Sequence, residues 1–267
     1  MSDTLNRAAL KKQARELLQT AQVSPRGVTA LYCGLTLVLN LVDYFAGSLI
    51  PGGAPEVFTT FVSIFTNLAG WILVAGFTLY CMGIRRHEVT EYGTLFDGFS
   101  MTGKIIALNF IMSFFIFLWS MLFVVPGIAA YYRYRFALYN LYENPGLSVM
   151  EALELSKRQT MGWKLELLKL DLSYLGWLIL SLLPALYVDG KLYMQVLSAA
   201  DPAAVLAAAS STLAEVLVCG IWSLVVSLFF LPNYQCVNLA YFDAARTAVS
   251  GGQAFRPEDG PDGLGGF

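Results

Sequence analysis

Charged residues are scarce in this sequence of 267 residues, since Asp, Glu, Lys and Arg together make up only 13% of it. A soluble chain carries about a quarter of such residues, whereas here 57% of the residues are hydrophobic and the mean hydropathy is +0.59. A water-facing surface cannot be built from this composition. The net charge of −2, with no basic stripe, also argues against nucleic acid as a partner.

Residues that catalyse reactions or bind metals are also few. His87 is the only histidine, and it stands between Arg86 and Glu88 without a second ligand at metal-binding spacing. The sequence has no G-x-S-x-G motif and no glycine-rich phosphate loop. No C-x-x-C pair occurs, and we interpret the cysteines as small packing residues: Cys33, Cys81, Cys219 and Cys236. We therefore expect no metal, no cofactor and no enzymatic activity.

Long apolar runs dominate the sequence instead. A transmembrane helix needs about 20 apolar residues at a rise of about 1.5 Å per residue. Runs of this kind predict five spans, at 28–50, 57–83, 105–125, 165–188 and 215–231. The first run is longer than the apolar core of a signal peptide, so we expect it to be retained.

A sixth candidate span, 127–142, contains Arg133 and Arg135. An arginine at the centre of a span costs about 2.5 to 3.5 kcal/mol, which the apolar residues of this short segment do not offset. The segment can cross only if its arginines are paired within the protein, lie in a wet cavity or reach the interface.

Prolines and one capping motif divide the rest of the chain. We predict helix breaks or kinks at Pro126, Pro145, Pro184 and Pro232. Ser148 followed by Glu151 forms a capping box that predicts a helix from 148 to about 161. This helix carries several charges and is too short to span, so we expect it at the cytoplasmic surface.

The basic residues predict the orientation of the chain. With six spans, every Lys and Arg falls on the side of the N-terminus except Arg133 and Arg135 in the fourth span and Lys191. Basic residues near span ends stay in the cytoplasm. The distribution therefore predicts that both termini are cytoplasmic.

The two ends of the chain are predicted to lie outside the membrane domain 28–248. Residues 1–27 contain an amphipathic helix, with Leu10, Ala14, Leu17 and Leu18 on one face. We favour its binding to the anionic inner leaflet over docking on the protein's own cytoplasmic loops. Residues 249–267 are rich in Gly, Pro and Asp and predict a disordered cytoplasmic tail.

Ionisable residues at membrane depth form the candidate site: Asp43, Arg133, Arg135 and Asp171. Arg133 and Arg135 lie about 200° apart around a helix, so they cannot share one partner. We hypothesise that one pairs with Asp171 and the other with Asp43. The pairs either fix the register of the helices or line a polar groove that binds an ion, a lipid headgroup or a peptide.

The central part of the chain resembles the bacterial integral membrane proteins grouped as domain-of-unknown-function family 975. The resemblance rests on a P-G-I turn, an R-Y pair, an E-N-P break, an S-K-x-x-M-x-G helix and an L-S-x-x-G-W span: Pro126 to Ile128, Arg133-Tyr134, Glu143 to Pro145, Ser156 to Gly162, and Leu172 to Trp177. The opening residues 6–18 and the closing residues 232–242 also resemble the family. Asn233, inserted in the closing P-Y pattern, and the long stretch 191–212 depart from it. The resemblance implies a fold and a location in the bacterial cytoplasmic membrane, and it implies no activity.

We thus expect an all-α, polytopic bundle of about six spans, with an N-terminal amphipathic helix and a surface helix between spans four and five. Its expected partners are the lipid bilayer and other membrane proteins, and the pattern defines no oligomeric state. Three functions stay open: a transport or export component, a non-transporting scaffold or sensor, and a membrane-embedded enzyme that modifies lipid. A continuous cavity at Arg133 would favour the first over the second, and clustered carboxylates around a closed pocket would favour the third.

Overall fold

The computed structural model describes residues 7–48, 56–198 and 212–250, and these residues form helices and connecting turns. In chain order the helices are α1 (Arg7–Gln19), α2 (Pro25–Ser48), α3 (Glu56–Arg85), a 3₁₀ helix (Tyr92–Met101), α4 (Thr102–Leu122), α5 (Val124–Tyr134), α6 (Ala137–Glu143), α7 (Val149–Gln159), α8 (Lys164–Leu172), α9 (Leu175–Ser198) and α10 (Leu213–Ser250).

Five helical stretches in the described residues are long and apolar enough to cross a membrane: Pro25–Gly47, Glu56–Arg85, Tyr92–Leu122, Leu175–Gln195 and Leu213–Val249. They correspond to the five apolar runs of the sequence. Helix α2 packs between α3 and α10, and α9 packs on α10. The prediction of a helical, multi-pass membrane protein is confirmed.

The segment predicted as the fourth span forms two short helices. Helix α5 has 11 residues and α6 has seven, and they are separated at Arg135 and Phe136. The break before α5 lies at Phe123, whose backbone is extended, and not at Pro126 as predicted. Pro126 occupies the first turn of α5, where a backbone N–H has no intrahelical partner and its loss costs little.

The segment predicted as the fifth span also divides, at Ser173 and Tyr174. The amide of Ser173 donates to the carbonyl of Lys169 and its hydroxyl donates to that of Leu170, which closes α8. Asp171 therefore belongs to α8, which precedes the long apolar helix α9.

Pro184 and Pro232 lie inside continuous helices, so the predicted interruption at Pro184 is wrong. A proline removes the hydrogen bond to the carbonyl four residues earlier. In α9 that carbonyl belongs to Leu180, and it accepts instead from Nε1 of Trp222 in α10, at 2.8 Å. The neighbouring helix thus replaces the lost bond and α9 continues to Ser198.

The polar segment after α3 contains a 3₁₀ helix that the sequence pattern did not indicate. It packs so closely on α3 that a Cβ at Gly76 would lie 1.8 Å from the carbonyl oxygen of Leu95. A Cβ at Gly98 would lie 2.7 Å from the carbonyl oxygen of Ile72. Glycine at both positions allows the two backbones to touch.

Helix α1 docks on the protein itself. Ala14 is only 2% exposed, and Leu10 and Leu18 pack against the main hydrophobic core. Asn233 of α10 donates from Nδ2 to the carbonyl of Lys11 at 3.1 Å. The apolar face predicted to bind the inner leaflet is therefore covered by the protein, which matches the alternative of docking on the protein itself.

Helix α7 begins at the capping box. The hydroxyl of Ser148 accepts from the amide of Glu151 at 3.3 Å, and the amide of Ser148 donates to Oε2 of Glu151 at 2.8 Å. Pro145 lies in the turn before it, directly after α6. Gly162 follows α7 with a φ of 82°, a conformation that favours glycine. The predicted tail beyond residue 250 and most of the stretch 191–212 lie outside the described residues.

Candidate functional site

Arg135 lies at the junction between α5 and α6 and forms a two-pronged ion pair with Asp171 of α8. Nη1 donates to Oδ2 at 2.7 Å and Nη2 donates to Oδ1 at 2.8 Å. The arginine side chain is 7% exposed and that of Asp171 is 20% exposed. Planar, bidentate geometry of this kind is the strongest form of the arginine–carboxylate contact.

Helix α10 completes the coordination of this pair. Nη2 of Arg135 also contacts the hydroxyl of Tyr234 and donates to Oδ1 of Asn238, both at 2.7 Å. Asp171 accepts from the hydroxyls of Tyr234, at 2.9 Å, and Tyr132, at 2.8 Å. We call these five residues the arginine cluster. It ties α5, α8 and α10 together at one point.

The electrostatics of the cluster favour the charged state. Burial by itself would raise the pKa of Asp171, but the ion pair with Arg135 and the two tyrosine hydroxyls outweigh burial and lower that pKa below its ordinary value. A buried carboxylate is costly unless its partners replace the lost water. Here they do, so both charges persist at neutral pH.

Helix α1 covers a second group of polar residues next to the cluster. The hydroxyl of Tyr174 lies 2.5 Å from Oδ1 of Asn233, the residue that also binds the backbone of Lys11. The ammonium group of Lys11 lies 3.9 Å from the centre of the Tyr174 ring and donates to the carbonyl of Ser173 at 3.2 Å. The position of α1 is therefore set by polar contacts as well as by its apolar face.

A separate group of ion pairs joins α3, α6 and α10, and we call it the Glu143 clamp. Arg86, directly after α3, and Arg246 of α10 both bind the carboxylate of Glu143, whose side chain is 8% exposed. Arg85 binds Asp243 in the same region. The clamp connects residues far apart in the sequence, which explains why no local pattern indicated it.

Two of the four predicted site residues do not join the cluster. Asp43 accepts a hydrogen bond from Ser63 of α3 at 2.5 Å, and it forms no ion pair among the described residues. Arg133 lies over the ring of Trp119, with 5.7 Å between its guanidinium carbon and the ring centre. The hypothesis of a pair between Asp43 and an arginine is wrong, because Asp43 lies near the far end of α2 while both arginines lie close to α8.

Sequence reasoning missed the uncharged members of the cluster: Tyr132, Tyr234 and Asn238. Tyr234 and Asn238 are four residues apart on α10, the spacing that places two side chains on one helix face. This spacing could have indicated a polar face, but a tyrosine and an asparagine near the end of an apolar helix are common without such a role.

Three cavities in the described part of the protein lie away from the cluster. One of about 410 Å³ lies along α3 between Thr59 and Trp71. One of about 300 Å³ lies beside Arg85 and Gln13, and one of about 640 Å³ lies beside Glu143. The described residues contain no group of three His, Cys, Asp or Glu side chains that could hold a metal ion.

Apolar helices around a buried arginine–aspartate pair define a helical, multi-pass membrane protein. Residues 124–248, just under half of the chain, match the family described as "Protein of unknown function (DUF975)". The match contains the whole arginine cluster, whereas the resemblance of residues 6–18 falls outside it. No curated protein and no solved structure matches the chain.

Proposed function

We propose that this protein is a non-enzymatic scaffold of the bacterial cytoplasmic membrane, built to hold a layer of short helices on the cytoplasmic face. The observation that carries the proposal is the closed coordination of Arg135, whose charge is used entirely inside the protein. A site that transports an ion must exchange partners during its cycle, whereas a structural lock keeps them.

The arginine cluster marks the level at which the long helices leave the membrane. Tyr234 and Asp171 meet there, α9 begins four residues after Asp171, and Gln235 donates to Thr78 of α3 at 2.8 Å. From this level α3, α9 and α10 each extend by more than 20 residues, or roughly 30 Å, away from the short helices on the cytoplasmic face. This length matches the hydrocarbon core of a bilayer.

The hairpin of α4 and α5 is too short to reach as far. Helix α5 has 11 residues between the cluster and the hairpin tip, or roughly 16 Å. The ring of Phe115 in α4 lies 5.9 Å from that of Tyr134, so only the last turns of α4 stand above the same level. The earlier part of α4 packs through Leu108 against Leu141 of α6 and Leu153 of α7.

Our proposed topology therefore has four crossing helices, α2, α3, α9 and α10, and a hairpin that enters from the cytoplasmic side and returns. Both termini remain cytoplasmic, as in the six-span arrangement, because the hairpin replaces a pair of crossings. The hairpin tip is apolar and uncovered, with Phe123 72% exposed and Val125 75% exposed, which suits contact with lipid chains.

Labelling of single cysteines in a cysteine-free background tests this topology. With a thiol reagent that does not cross membranes, Lys191→Cys should react from outside and Lys157→Cys only after permeabilisation. Phe123→Cys should resist the reagent from both sides, because it lies within the lipid. Reaction of Phe123→Cys from outside would restore the six-span arrangement and contradict the half-depth hairpin.

Transport is the competing function, and the prolines inside α9 and α10 favour it, since interrupted helices often line transport sites. The bond from Trp222 to the carbonyl of Leu180 weakens this argument for α9, because the polar group freed by Pro184 is already satisfied. An enzyme that modifies lipid would need convergent acids or bases, whereas Asp43, Asp171 and Asp243 lie in separate contacts, with Ser63, Arg135 and Arg85 respectively.

Reconstitution of the full chain into liposomes separates a scaffold from a transporter. Asp171→Asn should expose the Lys11–Lys12 bond of α1 to trypsin, while proton and potassium flux stays at the level of protein-free liposomes for both wild type and variant. Asp189→Asn is the matched control, because Asp189 is exposed and forms no ion pair within the described ranges. Flux in the wild type that Asp171→Asn abolishes, with trypsin resistance unchanged, would overturn the scaffold in favour of transport.

A further inference from the structure

Two basic side chains near the base of the α4–α5 hairpin have no acidic partner. Arg133 on α5 and Lys164 at the start of α8 form no ion pair with any described carboxylate. The other arginine of this segment, Arg135, is already bound by Asp171, Tyr234 and Asn238. An excess of positive charge therefore remains beside the cluster.

The fold holds these two residues close together. The backbone carbonyl of Arg133 accepts from the hydroxyls of Ser156, at 2.8 Å, and Thr160, at 3.2 Å. The turn that begins at Thr160 leads directly into Lys164. Burial, together with the nearby charge of Arg133, lowers the pKa of Lys164, as expected for like charges that lack a counterion.

The surroundings of the pair are those of a membrane interface. Exposed apolar side chains flank both cations: Ile128 and Tyr131 on α5, and Met161 and Leu165 near the start of α8. Trp119 lies under the guanidinium group of Arg133. Tryptophan and tyrosine concentrate at the level of lipid headgroups, and basic residues there attract anionic lipids.

We propose that Arg133 and Lys164 bind the phosphate group of an anionic phospholipid at the base of the hairpin. The guanidinium group forms two parallel hydrogen bonds to phosphate oxygens and the ammonium group adds a third donor. The acyl chains lie along Ile128 and Leu165. This inference rests on the topology proposed above only in placing the base of the hairpin at the headgroup level.

Lipid titration of the purified full chain in dodecyl maltoside, read by native mass spectrometry, tests the site. Dioleoyl phosphatidylglycerol should bind at least tenfold more tightly than dioleoyl phosphatidylcholine. Arg133→Gln and Lys164→Gln should each weaken phosphatidylglycerol binding about fivefold to tenfold, since one basic residue near a lipid surface contributes about 1 kcal/mol. Arg158→Gln is the control, because Arg158 is an exposed cation already paired with Glu154.

Two further comparisons, a charge reversal at Arg133 and competition by inorganic phosphate, distinguish a phospholipid site from misfolding and from binding of free phosphate. Arg133→Glu places a carboxylate beside Lys164, so it should preserve folding while removing phosphatidylglycerol binding. If Arg133 variants do not assemble, Lys164→Gln tests the site alone, because its side chain is partly exposed. Unchanged phosphatidylglycerol affinity in Lys164→Gln, equal binding of phosphatidylcholine, or complete displacement of the lipid by 10 mM inorganic phosphate would each overturn the proposal. None of these outcomes depends on whether α4 and α5 cross the membrane, which Phe123→Cys tests separately.

Discussion

Neutralising each side of the Arg135–Asp171 pair should destabilise the protein strongly. The two side chains are 7% and 20% exposed, and removing one partner of a buried pair costs about 3 to 5 kcal/mol because the other charge is left uncompensated. Asp171 keeps two tyrosine donors and some access to water, so we expect a value near the lower limit, about 3 kcal/mol, for Arg135→Gln. Asp171→Asn should cost a similar amount, since Arg135 then loses its only carboxylate.

A double-mutant cycle measures how much of this cost belongs to the pair. Arg135→Gln combined with Asp171→Asn leaves two neutral amides, so the combined loss should fall short of the sum by about 2 kcal/mol. Unfolding by steric trapping in bicelles gives the free energies, and Asp189→Asn serves as the unpaired control. Losses under about 1 kcal/mol that add without coupling would refute the reasoning, because the pair would then behave as an exposed salt bridge.

Three further predictions follow from single contacts. Gly76→Ala should destabilise the protein by about 1 to 3 kcal/mol, because the added Cβ would meet the backbone of Leu95. Gly93→Ala is the control and should not destabilise the protein, since nothing lies within 4 Å of a Cβ at that position. Equal unfolding curves for the two variants would contradict the close contact. The loss in free energy of unfolding caused by Asp171→Asn should be constant above about pH 5 and should shrink as the pH falls below about 4. The reason is that Asp171, whose pKa is lowered in the folded protein, contributes stability only while its carboxylate is ionised. A loss that stays the same down to about pH 2 in unfolding titrations would refute this pH dependence. Glu143→Gln should increase hydrogen exchange at the ends of α3 and α10, because Arg86 and Arg246 lose a shared, buried partner. Glu88→Gln, in the exposed turn after α3, is the control and should leave hydrogen exchange at both helix ends unchanged.

Local sequence signals predicted several elements well. The capping box at Ser148 and Glu151 starts α7 because both of its hydrogen bonds form within four residues. Pro145 marks the turn before α7 through its own backbone preference. The apolar runs indicated the long helices because the free energy of transfer into lipid depends on composition over about 20 residues.

The same signals failed where distant contacts decide the outcome. Pro184 does not interrupt α9, because Trp222, 38 residues later in the chain, supplies the missing donor. Asp43 and Arg133 do not pair, because pairing depends on depth along separate helices and the sequence gives only their order. The placement of α1 likewise depends on Asn233, which no pattern near residue 11 could indicate.

The sequence by itself determined that this protein is helical and embedded in a membrane, since both properties follow from composition and periodicity within single segments. The ion pair of Arg135 and Asp171 was among the sequence hypotheses because two opposite charges in apolar surroundings need a partner. Only the tertiary structure decided that Tyr132, Tyr234 and Asn238 complete that pair, and that α5 is too short to match its neighbours. Both depend on how helices from distant parts of the chain align in depth, and that alignment is set by packing across the whole bundle.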